Sequence, residues 1–96
     1  MTTTPEFKIQ KNRPGFFVTF ANGYTISVQF GRGNYCNNRD GTLGNSSPNA
    51  EIAVIRPNGE FIPISPHDRV QGYVSPDEMS EIMRVVATYP ESLVSQ

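Results

Sequence analysis

Several protein classes are closed off by what this 96-residue chain has little of. A single cysteine, Cys36, excludes an internal disulfide framework and any zinc site built on several thiolates. With only one histidine, His67, a chain supplies too few ligands for a typical transition-metal centre. There is no basic surplus: eight Lys and Arg stand against nine Asp and Glu, a net charge of −1. Domains held to DNA or RNA by phosphate neutralisation carry such a surplus, so nucleic acid is not an expected partner. No apolar run approaches the roughly 20 residues that cross a bilayer, and Met1 to Pro5 lacks the basic-then-apolar pattern of a secretory leader. These absences lead to an expectation of one domain over 1–96, frayed at 1–5 and 91–96. It would have neither metal nor cofactor and would sit in a reducing, cytoplasmic setting away from membranes.

What is present is alternation broken by turns. Tyr24, Ile26, Val28 and Phe30 point one way and Thr25, Ser27 and Gln29 the other, the period of a half-buried strand. Phe16–Phe20 precedes it, with Ala21-Asn22-Gly23 between. A two-residue Asn-Gly loop would pair Phe20 with Thr25 and mix apolar with polar on both faces. A three-residue loop pairs Phe20 with Tyr24, Val18 with Ile26 and Phe16 with Val28, which makes one face wholly apolar and places Gly23 in the left-handed region. The same device recurs at Pro57-Asn58-Gly59, pairing Arg56 with Glu60, Val54 with Ile62 and Ile52 with Ile64. Pro63 cannot donate to a ladder, so that return strand belongs at an edge or ends there. Phe7-Lys8-Ile9-Gln10 alternates as a further strand, turned by Arg13-Pro14-Gly15.

Ser75-Pro76-Asp77-Glu78 has capping-box spacing, with Ser75 as N-cap, proline at the first helical position and Glu78 able to reach back. Met79, Ile82, Met83 and Val86 then follow helical periodicity, and Pro90 stops the helix. The fold class expected is α+β: an antiparallel sheet of four to five strands with one C-terminal helix packed on one face.

Gly31 to Asn49 shows no periodicity and holds four glycines and five asparagines. Structureless loops this long are uncommon in small domains and often carry function. Arg32 and Arg39 offer guanidinium forks that suit phosphate or carboxylate, Tyr35 a stacking face and Asn34 an adaptable amide. The N–H groups of Gly31 and Gly33 could cup an anion. These six residues form the candidate ligand site. There is no Walker lysine and no strand–GxGxxG–helix context, so hydrolysis of a nucleotide or binding of a dinucleotide has little support. Cys36 with His67-Asp68 is a candidate nucleophile–base pair, although a lone cysteine is more often a small buried hydrophobe. Phe17 falls on the polar face of its strand, and one helix cannot cover both faces of a sheet, so Phe17 is the candidate interface residue.

The segment Thr19 to Gly31, followed by Gly33-Asn34-Tyr35-Cys36-Asn37-Asn38-Arg39, resembles small uncharacterised accessory proteins of tailed phages and prophages. Ala50–Val54 and Gln71-Gly72-Tyr73 are similar to the same group. The resemblance implies a phage accessory protein in a bacterial cytoplasm, and by analogy of setting a counter-defence role. It carries no assigned catalytic residue. The readings that follow are a non-enzymatic, homo-oligomeric binder of a small anionic, nucleotide-type ligand; an interaction protein that inhibits a host protein through its sheet face or edge; and a Cys/His hydrolase.

Overall fold

Local turn chemistry and hydrophobic alternation build most of the sheet. The computed structural model describes residues 3–11, 14–63 and 68–90. Strands β1 (Glu6–Ile9), β2 (Gly15–Thr19), β3 (Thr25–Gln29), β4 (Ala50–Ile55) and β5 (Gln71–Val74) form one antiparallel sheet in sequential order, followed by helix α1 (Pro76–Val86). This is the α+β arrangement that the sequence patterns imply.

The β2–β3 register is that of the three-residue loop: Phe16 faces Val28, Val18 faces Ile26, and Phe20 N–H donates to Tyr24 O at 2.9 Å. Gly23 has φ +90°, a conformation that places a Cβ in steric conflict. The face so created carries Val18, Ile26, Val28, Ala50, Ile52 and Val74 against the helix, with Val86 buried among them and Met79, Ile82 and Met83 partly buried.

The second hairpin turns as its sequence suggests, with Arg56 N–H to Glu60 O at 2.7 Å, Ile62 N–H to Val54 O at 2.9 Å and Gly59 at φ +91°. Its return arm is a correction. Beyond the single Ile55–Phe61 bridge there is no strand up to Pro63, and Ile52 pairs with Gln71 of β5, not with Ile64, which lies outside the described residues. Because Ile62 bonds to Val54, alternation turns the Pro63 nitrogen away from β4, where its missing N–H costs this ladder nothing; a strand from further along the chain takes the same edge at residues 50–52. The Arg13-Pro14-Gly15 turn lies only partly within the described residues, and the expected fraying of 91–96 lies outside them.

Helix α1 begins in a full capping box: Glu78 N–H donates to Ser75 Oγ at 3.1 Å and Ser75 N–H donates to Glu78 Oε1 at 3.0 Å. Those bonds hold the Glu78 carboxyl below its ordinary value, through the Ser75 backbone N–H first and its hydroxyl second. At the other end the helix stops at Val86, and a tighter turn through Tyr89 carries the chain to Pro90. The β2–β3 turn takes part in that ending. Asn22 Nδ2 donates to Val86 O at 2.9 Å and Tyr89 O at 3.0 Å, while its Oδ1 accepts from Tyr24 N–H at 3.1 Å. The last helical carbonyl, which also accepts from Tyr89 N–H, and the carbonyl of Tyr89 in the turn that follows are thus tied to a hairpin on the sheet. Buried Tyr24 meets the Tyr89 ring edge-on at 5.3 Å between centroids.

Candidate functional site

Asparagine side chains, more than apolar contacts, hold the 31–49 loop in shape. Asn38 is fully buried: its Nδ2 donates to Phe30 O at 2.9 Å and Gly44 O at 2.8 Å, and its Oδ1 accepts from Leu43 N–H at 2.8 Å. Asn34 is also buried. Its Oδ1 accepts from Gly31 N–H at 3.2 Å, so its Nδ2 is free to donate to Gln29 Oε1 at 3.1 Å and Glu51 Oε2 at 3.2 Å. Glu51 Oε1 accepts from Tyr35 N–H at 3.1 Å. Gly33 N–H donates to Arg39 O at 2.9 Å.

These bonds correct the expectation of a nucleotide-binding loop. The anion gripped by Asn34 and the Tyr35 N–H is the chain's own Glu51 carboxylate, supplied by β4. The N–H groups of Gly31 and Gly33 are likewise already donating, within the loop. Arg32 is exposed near Asp40, whose carboxyl is held low chiefly by bonds from Thr42 and only slightly by Arg32. Arg39 lies over the Tyr35 ring, 4.9 Å from its centroid. The two guanidinium groups therefore serve separate neighbours.

Cys36 is buried, with Sγ 3.8 Å from Gly31 O. The hydrolase reading has no geometry to describe, because His67 lies outside the described residues. Among the described residues no three His, Cys, Asp or Glu side chains cluster as metal ligands, and no helix is long and apolar enough to cross a membrane.

Among the described residues, two exposed surfaces stand out. One is around β5. Ala50 faces Val74 and Ile52 faces Gln71, so β5 carries an extra residue between those pairs. Tyr73 takes up the bulge with φ +56°, rare for a bulky residue, and turns its N–H to Tyr35 O at 2.9 Å. Gly72 makes the approach feasible, since a Cβ there would lie 2.7 Å from Tyr35 Cβ. Tyr73 and Tyr35 are left 51% and 47% exposed. Nothing in the sequence signals the left-handed Tyr73, because its cause is a tertiary contact.

The other surface is β1, at the sheet's open edge. In β1–β2, Phe7 faces Val18 and Ile9 faces Phe16, which puts both apolar side chains on the helix side of the sheet. The helix, however, packs against β4 and does not cover them: Phe7 is 83% and Ile9 82% exposed. Gln10 N–H donates to Gly15 O at 3.1 Å. Antiparallel bonding alternates, so Lys8 and Glu6 turn their main-chain groups towards β2, whereas Phe7 and Ile9 turn theirs outward. On the opposite face Phe17, half-buried, lies beside Lys8 and Ser27. It lines a hollow of about 450 Å³ with Lys8, Gln10, Lys11, Thr19 and Thr25. The alternation of residues 7–10 is legible in the sequence; that Phe7 and Ile9 stay uncovered depends on where the helix lies.

The fold and its surfaces define a class: a small five-stranded antiparallel meander closed on one face by a single helix. No family model matches the chain, and neither a curated protein nor a solved structure matches it. The expected phage origin, counter-defence role and homo-oligomerisation are corrected together with the nucleotide-binding loop. The fold and comparisons describe a small sheet-plus-helix domain and lend those attributes nothing.

Proposed function

We propose that this chain is a non-enzymatic interaction domain that captures an extended segment of a partner protein by strand addition at β1. The observation that carries the reading is the coincidence, on one edge strand, of two large apolar side chains more than four-fifths exposed and outward-facing main-chain groups. An added strand would satisfy those groups and shield Phe7 and Ile9, each gain supporting the other. A lone buried thiol with no partner cysteine in the chain supports a reducing, cytoplasmic setting for the encounter.

The test is a displayed library of unstructured heptapeptides selected on the chain, with binders mapped by NMR. Expected are amide perturbations centred on 6–9, slowed exchange of the Phe7 and Ile9 amides, and loss of binding in Ile9→Pro, which deletes one outward donor. Binders that map elsewhere, or that tolerate Ile9→Pro, overturn the reading.

A further inference from the structure

We infer that the strand captured at β1 is acidic on one face: apolar where it meets Phe7 and Ile9, and carboxylate-bearing where it meets Lys8. The inference rests on the strand-addition reading and adds the chemistry of the partner.

A strand paired to β1 sends alternate side chains to the two faces of the sheet. Those in line with Phe7 and Ile9 lie over the uncovered part of the helix side, where apolar groups gain most. Those in line with Lys8 emerge on the opposite face, at the hollow floored by Phe17. Three charged side chains line that hollow, the ammonium groups of Lys8 and Lys11 and the carboxylate of Glu6, which leaves an excess of one positive charge. Thr19 and Thr25 are bonded to each other through their hydroxyls at 2.8 Å and add no charge. Gln10 adds no charge to that wall; its Oε1 is buried within the chain and has no donor among the described residues.

Lys8 also sets selectivity. A lysine in the middle of a short edge strand discourages indiscriminate pairing, because an apolar or cationic residue beside it would desolvate or repel the ammonium. A carboxylate turns that obstacle into an attraction. Glu6 of a second copy could in principle supply such a carboxylate, so self-pairing is a competing outcome.

Fluorescence anisotropy with two blocked heptapeptides tests this. One alternates valine with glutamate and the other alternates valine with lysine. The glutamate peptide is expected to bind about five- to tenfold more tightly at low salt, with the margin shrinking as NaCl is raised. Lys8→Gln should level the preference and Lys8→Glu should reverse it, with circular dichroism reporting that both variants fold. Equal binding of both peptides to the parent chain overturns the acidic assignment and leaves strand addition standing. If neither peptide binds and library binders map away from 6–9, strand addition itself fails. A particle of twice 10.7 kDa by light scattering that Ile9→Pro converts to monomer assigns the edge to a second copy and overturns the inference.

Discussion

Replacing Asn22 by aspartate sets local turn chemistry against tertiary structure. Within the hairpin, Asp-Gly serves about as well as Asn-Gly, and an aspartate oxygen can still accept from the Tyr24 N–H. Reasoning from the turn alone therefore forecasts almost no effect. The fold forecasts a large one, since Asn22 Nδ2 is the donor to Val86 O and Tyr89 O. Losing two such bonds costs about 0.5–1.5 kcal/mol each. A carboxylate set against the negative end of the helix adds about 0.3–1 kcal/mol. The sum is about 1.3–4 kcal/mol, and for a domain near 100 residues each kcal/mol lowers the melting midpoint by roughly 4–8 °C. Urea titration followed by circular dichroism reads it directly. The deficit should also depend on pH. Facing carbonyl oxygens raises the folded-state pKa of the new carboxyl above its unfolded value, so the penalty is full above the folded pKa. It fades as pH falls through the folded pKa towards the unfolded one. A loss below about 0.5 kcal/mol at neutral pH would refute the proposal that this turn caps the helix.

Asn34→Ala should destabilise by roughly 2–4 kcal/mol, because it strands the Gly31 N–H and removes a donor to the Glu51 carboxylate; an unchanged urea midpoint would return Asn34 to the status of an adaptable surface amide. Gly72→Ala should shift amide resonances of Tyr35 and lower stability, since the added Cβ would lie 2.7 Å from Tyr35 Cβ; unmoved resonances would contradict the close approach. The lowered Glu78 carboxyl makes the capping box a source of stability present above the ordinary glutamate range and lost as pH falls through the folded pKa. Helicity at 76–86 should then decline on acidification more in the parent than in Glu78→Gln, and equal decline would count against the box.

Sequence alone determined the features that close within a few residues. The Gly23 and Gly59 conformations follow from hydrophobic register across a three-residue loop, since the alternative register mixes faces. The Ser75–Glu78 box follows from spacing along a single helical turn. Alternation likewise put Phe17 on the face away from the helix. Tertiary structure decided what depends on partners distant in the chain. The edge of β4 is shared: the residues after Gly59 reach only residues 54–56, and Gln71–Val74 take residues 50–52, a division that depends on a segment distant in the chain. Asn34 reads from sequence as a ligand-binding amide, but Glu51, 17 residues on, takes up its donors. Asn22 gained a second task only because the hairpin tip meets a helix end 64 residues later. Tyr73 was driven to positive φ by the Tyr35 backbone, and Phe7 and Ile9 were left bare because an eleven-residue helix is too short to roof all five strands. Alternation specifies which side chains share a face; only the placement of the opposing layer specifies which of them water still reaches.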